Sequence, residues 1–149
     1  MKKNIILLYL IFFLSNCGFT PIYQNNTMVN ISIIQVSYSG DKELNNFLKT
    51  NLSKYENKNI DNKIYVETTS VYKKTILSKN ATGEVTNYQL EAEVKFLIKS
   101  KNKEIIINEN HIMNSKSDKF EETRYERIIK QNFASAITNK LLSELMNYQ

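Results

Sequence analysis

Residues 84–99 constrain the fold of this chain most, because apolar and polar side chains alternate along most of the segment. Successive side chains of a β-strand point to opposite faces of a sheet, so the pattern predicts a strand with one buried and one solvated face. Such a sheet needs a second layer on its apolar side. The apolar set is Tyr88, Leu90, Ala92, Val94, Phe96 and Ile98, and the polar set is Asn87, Gln89, Glu91, Glu93 and Lys95.

Three further segments, residues 28–38, 63–77 and 104–113, are rich in β-branched residues and predict additional strands. In the first of them the apolar alternation shifts by one residue between Ile33 and Ile34, which indicates a β-bulge. Turn-forming residues occupy positions 78–83 and 100–103. The later strands should therefore be joined by short turns.

Two segments carry apolar residues at helical spacing, residues 41–55 and residues 120–148. Asp41 is a suitable N-cap for the first helix, and Asp118 with Glu121 has capping-box spacing before the second. The first stripe is Leu44, Phe47, Leu48, Leu52 and Tyr55, and the second is Tyr125, Ile128, Ile129, Phe133, Ala136, Ile137, Leu141 and Leu145.

The resulting order, β-α-β-β-β-α, predicts an α+β fold. We expect a two-layer sandwich, with two helices packed on one face of a four-stranded sheet. Residues 28–149 then form a single domain. Its core should bring together Leu90, Val94, Phe96, Leu48, Phe133 and Ile137.

The N-terminus has the layout of a secretory signal peptide. Lys2 and Lys3 precede ten uninterrupted apolar residues, and a short polar stretch leads to Cys17, the only cysteine. The apolar run is shorter than the roughly 20 residues that a membrane-spanning helix needs. We expect residues 1–16 to be the signal peptide and residues 17–27 to be a tether.

The four residues Leu14-Ser15-Asn16-Cys17 resemble the bacterial lipobox. That resemblance implies acylation of Cys17 and cleavage before it, although Asn16 departs from the usual small residue. The alternative is an incidental cysteine after an ordinary signal peptide. Gly18 follows Cys17 where an Asp often marks inner-membrane retention, so we expect a lipid anchor in the outer membrane.

Charge and composition limit the classes of partner. The formal net charge is +5, but all except two of the 20 basic residues are Lys. Arg usually dominates bidentate phosphate recognition, so the charge is weak evidence for an anionic partner, and we expect no nucleic-acid partner.

No residue pattern points to catalysis, a metal or a cofactor. His111 has no second His or Cys at ligand spacing. Glu91 and Glu93 share a strand face, but a solvated polar face explains them better than a catalytic carboxylate pair. We therefore expect a binding protein that is not an enzyme.

The residues that follow the lipobox carry a family resemblance. Cys17-Gly18-Phe19-Thr20-Pro21-Ile22-Tyr23 resembles the Cys-Gly-Phe-x-Pro-Leu-Tyr start of mature LPS-assembly lipoproteins of the LptE (RlpB) family. Chain length and element order are also similar to that family. The resemblance implies a periplasm-facing outer-membrane lipoprotein that plugs the LptD barrel. It also implies help in assembling that barrel and in delivering lipopolysaccharide to the outer leaflet.

The sequence is also compatible with other functions. A barrel lumen is polar and would suit the polar strand face, but so would water. One alternative is a pilotin-like lipoprotein that escorts a different outer-membrane protein. Another is an auxiliary lipoprotein of a transporter that binds a small lipid between sheet and helices.

A lipopolysaccharide contact should present clustered cations. Lys73, Lys74 and Lys79 flank the predicted turn at residues 78–83, with Ile76 and Leu77 among them. The break before the last helix could bring Lys116 and Lys119 to the same end of the sheet. The alternative is that these are solvated turn lysines in a Lys-rich chain.

Overall fold

The computed structural model of the protein describes residues 31–57 and 59–147. The predicted signal peptide, Cys17 and the tether lie outside the described residues.

Four strands form one mixed sheet in the order β1-β2-β3-β4. β1 and β2 are parallel, and the other neighbours are antiparallel. Helix α1 connects β1 to β2, and helix α2 follows β4. The elements are β1 Ser32–Gly40, α1 Lys42–Leu52, β2 Lys63–Lys79, β3 Val85–Ile98, β4 Lys103–Asn114 and α2 Lys119–Met146. The predicted α+β fold and element order are confirmed.

The helices cover one face of the sheet, called here the inner face. All six residues predicted for the core are at most 5% exposed: Leu48, Leu90, Val94, Phe96, Phe133 and Ile137. They belong to one continuous apolar cluster. On the opposite, outer face, Glu91 and Glu93 are exposed. The alternation in β3 therefore assigned both faces correctly.

The bulge predicted in β1 is present, but it lies later than expected. The register with β2 shifts between Gln35 and Ser37. Ile33 is buried, and Gln35 still accepts a hydrogen bond from Thr68 across the sheet. The extra residue, Val36, is exposed. Because Val36 adds one residue to the strand, the next apolar side chain, Tyr38, points to the inner face like Ile33.

Gly40 ends β1 and allows α1 to begin at once. Its φ is +96°, and a Cβ there would lie 1.7 Å from the carbonyl oxygen of Ser70. Only glycine combines this left-handed backbone with so close an approach. The next residue, Asp41, is the predicted N-cap and accepts a hydrogen bond from the backbone N–H of Leu44 at 2.7 Å.

The apolar stripe predicted for α2 is partly wrong. Asp118 caps the helix as expected, accepting from the N–H groups of Phe120 and Glu121. Tyr125 and Ile128, however, are 38% and 45% exposed. Ala136 is only partly buried, whereas Ile129, Phe133, Ile137, Leu141 and Leu145 of the predicted stripe are buried. The other buried side chains of α2 are Glu122, Lys130, Ala134, Thr138 and Leu142. The first half of α2 therefore meets the sheet through charged groups.

Candidate functional site at the hairpin end of the sheet

The β2–β3 hairpin extends beyond the end of β1. β1 pairs with β2 as far as Ser70, whereas β2 and β3 stay paired up to Lys79 and Val85. The first turn of α2 lies beside this extension, as its contacts with Lys74 show. The predicted glycolipid lysines and the start of the long helix therefore occupy the same region.

Asn80 organises the turn at the hairpin tip. Its side-chain oxygen accepts hydrogen bonds from the backbone N–H groups of Thr82 and Glu84, at 3.1 Å and 2.9 Å. Gly83 supplies the left-handed backbone at φ +86°. The turn is therefore held in a defined shape by hydrogen bonds, and this shape fixes the ends of β2 and β3 beside it.

The three lysines predicted to contact lipopolysaccharide do not form one patch. Lys73 lies opposite Glu91 on the outer face, whereas Lys74 lies opposite Leu90 on the inner face. Lys79 is exposed at the end of β2. Adjacent residues of a strand point to opposite faces, and this separates Lys73 from Lys74.

Lys74 instead joins α2 to the sheet. Its Nζ lies 3.3 Å from Glu122 Oε1 and 2.8 Å from Glu126 Oε2. The same ammonium lies 4.2 Å from the ring centroid of Tyr88. Burial alone would lower the pKa of Lys74, but the two carboxylates outweigh it and raise that pKa. Lys74 is therefore held as a cation at the junction of α2 and the sheet.

Glu122 is the centre of this arrangement. Its Oε2 accepts hydrogen bonds from the Ser115 hydroxyl, the Lys116 backbone N–H and Lys119 Nζ, at 3.1, 3.0 and 3.2 Å. Burial alone would raise its pKa, but these donors and Lys74 lower the pKa from 4.5 to about 2. Glu122 thus ties the β4–α2 connection and β2 to the helix. As predicted, Lys116 and Lys119 reach this end of the sheet.

The polar contacts continue along the inner face towards α1. The Tyr72 hydroxyl donates to Glu126 Oε1 at 2.9 Å, and Lys130 Nζ lies 4.0 Å from the Tyr72 ring centroid. Lys130 also bonds to Glu43 Oε2 at 3.0 Å. Burial and the Glu126 carboxylate raise the pKa of Tyr72, so the phenol stays protonated. We call Lys74, Glu122, Glu126, Tyr72, Lys130 and Glu43 the charged seam.

The charged seam was not predicted from the sequence. One signal was available, because Glu122, Glu126 and Lys130 are spaced four residues apart and must share one face of a helix. That face was assigned to solvent because charged residues seldom lie inside. Their partners Lys74, Tyr72 and Glu43 come from distant parts of the sequence.

A groove of about 810 Å³ opens beside the charged seam. It lies between the hairpin and the connection from β4 to α2. Most of the residues that line it are polar, including Asn80, Asn87, Asn114, Lys116 and Lys119, and Glu84 adds a carboxylate. Amide, hydroxyl and ammonium groups of this kind can bind sugar hydroxyls and anionic groups.

Among residues 31–57 and 59–147, no group of His, Cys, Asp and Glu side chains could hold a metal ion. The helices in the same ranges are too polar or too short to cross a membrane. Cys17, the predicted site of lipid attachment, lies outside this part of the chain.

Comparison with known proteins finds similarity in structure alone. No model of a protein family matches the sequence, and no curated protein matches it. The fold is similar to that of rare lipoprotein B from Shewanella oneidensis, with a TM-score of 0.54 and 16% identity. That match covers 77% of this chain and 98% of the other. Uncharacterized lipoprotein B from Nitrosomonas europaea matches with a TM-score of 0.51 and 14% identity, over 79% and 88% of the two chains. These likenesses establish the shared fold.

Proposed function

We propose that this protein is an outer-membrane lipoprotein of the LptE type, anchored through Cys17. In this role it plugs the LptD barrel, assists its assembly and helps deliver lipopolysaccharide to the outer leaflet. The agreement between a sequence motif and the fold supports the proposal. The segment from Cys17 to Tyr23 resembles the start of mature LptE (RlpB) proteins, and the fold that follows resembles a protein named rare lipoprotein B.

The outer face of the sheet supports a role as a plug. Glu91 and Glu93 are exposed there, beside Lys73 and Gln89. The same face also carries Val71, Ile106 and Ile112, each at least 42% exposed. A polar barrel lumen suits the polar positions of this face. The hairpin tip, with its hydrogen-bonded turn, gives this surface a protruding end of defined shape.

The alternative of a small lipid held between sheet and helices is less well supported. The side chains that fill this space include Leu44, Leu48, Phe96, Ile137 and Leu141, and each is fully buried. A closely packed core of this kind has no room for an acyl chain unless the layers separate. Binding at the surface is therefore favoured over binding inside, and we propose no catalytic role.

Co-purification tests the identity of the partner. The tagged chain should be extracted from membranes in mild detergent and its partners identified by mass spectrometry. We expect a barrel of the LptD family in near-equal amount, and an unrelated tagged outer-membrane lipoprotein should not retain it. Recovery of a secretin would support the pilotin-like alternative instead, and an inner-membrane transporter would support the auxiliary one.

Lipid attachment at Cys17 is a separate prediction. Mass spectrometry of the mature N-terminus should show an acylated Cys17 as the first residue. Cys17→Ala should release the protein from the membrane fraction without lowering the stability of the domain, because residues 31–147 contain the core. An unacylated Cys17, or cleavage at another position, would contradict this prediction.

We propose that Lys73, Lys74 and Lys79 contribute to lipopolysaccharide contact. The experiment replaces only Lys73 and Lys79, for a reason given by the structure. Lys74 belongs to the charged seam, so its removal would also disturb packing. Lys73→Ala with Lys79→Ala should leave the melting temperature unchanged and weaken salt-sensitive binding of purified lipopolysaccharide several-fold. Lys42→Ala with Lys54→Ala is the matched control. Undiminished binding of the Lys73 and Lys79 variant at low salt would remove these residues from the site.

A further inference from the structure

Two exposed edges of the sheet carry features that discourage the addition of another strand. β1 is interrupted by the register shift near Val36 and ends at Gly40. The part of β2 beyond β1 carries Lys73, Lys74 and Lys79, with two register shifts around Ser78. Bulges and lysines at edges are common means of preventing unwanted pairing between chains.

From residue 105 to residue 113 the edge formed by β4 has neither kind of protection. β4 pairs with β3 along its whole length without a register shift, and it is the last strand of the described sheet. Residues 105–113 contain no Lys, Pro or Gly, and Glu109 is their one formally charged residue. Ile106 and Ile112 are 50% and 58% exposed. A long, regular edge with a single charged residue and exposed isoleucines is a template for strand addition.

The outer-face side chains of β4 are self-complementary. Along the strand they are Ile106, Asn108, Asn110 and Ile112, which gives the same order of types in both directions. Antiparallel pairing centred on Glu109 places Ile106 opposite Ile112 of the partner subunit, and Asn108 opposite Asn110 of the partner subunit. A shift of two residues either way would place Ile opposite Asn. A two-fold interface requires this kind of self-complementarity.

The inner-face side chains allow the same register. Ile105 would lie in register with Met113 of the partner subunit, and Ile107 with His111 of the partner subunit. Ile105, Ile107 and Met113 are already buried within their own chain, so these pairs add little contact area. Glu109 would face Glu109 of the partner subunit at the centre, which is unfavourable for bare carboxylates. Lys140 Nζ lies 2.7 Å from Glu109 Oε1 within the same chain. The positive charge of Lys140 offsets the repulsion between the two Glu109 carboxylates.

We propose that β4 is a homodimerisation edge, through which two copies join their four-stranded sheets into one continuous sheet. The two β4 strands pair antiparallel, with the pairing centred on Glu109. The partner is a second copy of this chain, because the outer-face side chains of β4 have the same order of types in both directions. The proposal goes beyond the plug function. It concerns the protein without a barrel, and it stands or falls independently of the co-purification result.

The test uses two variants of the same two positions. Asn108→Lys with Asn110→Lys places lysine opposite lysine twice across the predicted pairing. Asn108→Lys with Asn110→Glu places lysine opposite glutamate twice. Sedimentation equilibrium of the full chain in density-matched detergent should show a dimer for the unmodified protein and for the Lys/Glu variant. The Lys/Lys variant should dissociate at least tenfold more readily. Ser37→Lys on the β1 edge is the matched control and should stay dimeric.

Disulfide trapping checks the register without introducing charge. Asn108→Cys with Asn110→Cys should cross-link two chains under mild oxidation, because directly opposed residues lie within disulfide range. Asn108→Cys alone should cross-link much less, since its counterpart in the partner is displaced along the strand. An unmodified protein that is monomeric throughout, or equal dissociation of the Lys/Lys and Lys/Glu variants, would overturn the proposal. Capture of a different chain in place of a second copy would also overturn it.

Discussion

Replacing Phe96 by alanine should lower the free energy of unfolding by about 3–5 kcal/mol. Phe96 is fully buried on the inner face, between Thr68 of β2 and Ile105 of β4. Its removal forfeits burial of the ring and leaves a cavity that the surrounding strands cannot close. The loss is large beside the 5–15 kcal/mol that stabilises a typical domain. Urea denaturation followed by circular dichroism measures it.

Leu97→Ala is the control for this experiment. Leu97 is the next residue of β3, but it points to the outer face and is only half-buried. Its replacement should cost clearly less than that of Phe96. An unchanged denaturation midpoint for Phe96→Ala, or a larger effect of Leu97→Ala, would mean that the two faces of the sheet are assigned the wrong way round.

Replacing Glu122 by glutamine should lower stability by about 2–3 kcal/mol. Loss of one partner from a buried ion pair costs about 3–5 kcal/mol, because the remaining charge stays without compensation. The effect is smaller here because the Lys119 side chain is 70% exposed and water can solvate it. Glu121→Gln is the matched control, since Glu121 lies 3.7 Å from Arg124 at the surface and should change stability little.

The contribution of Glu122 should also depend on pH. Its pKa falls from 4.5 to about 2 on folding, so the folded state favours the carboxylate. The stabilisation is complete above the unfolded pKa of 4.5 and is lost as pH falls towards about 2. Each unit of pKa difference corresponds to about 1.4 kcal/mol. The stability gap between the unmodified protein and Glu122→Gln should therefore narrow as pH falls from 6 to 2. A gap that stays constant over this range would show that Glu122 acts through its shape instead of its charge.

The sequence predicted the sheet well because burial on one face of a strand imposes a period of two residues. In β3 that period identified Leu90, Val94 and Phe96 as core residues, and all three are buried. Local chemistry also located the starts of both helices, since Asp41 and Asp118 accept hydrogen bonds from the first helical turns. Each of these features depends on residues that are close together in the sequence.

The interior of the hairpin end was predicted poorly. Lys74 was interpreted as a cation available to lipopolysaccharide, without its carboxylate partners. Tyr125 and Ile128 were interpreted as core residues, because hydrophobicity was the only guide to which side of α2 faces inward. In the structure Lys74 lies against Glu122 and Glu126, and Tyr125 and Ile128 are exposed. Glu122 and Lys130 are buried charges, and each is compensated by oppositely charged groups.

By itself, the sequence determined the identity and order of the elements, the buried face of β3 and the helix caps. It also supplied the motif at Cys17, on which the proposed anchor rests. The tertiary structure alone decided which charges meet between α2 and the rest of the domain. The charged seam joins Glu43 and Lys74 to Lys130, residues separated by up to 87 positions. Periodicity reports only whether a face is apolar, whereas the energy of a charge depends on which distant group lies within a few ångströms.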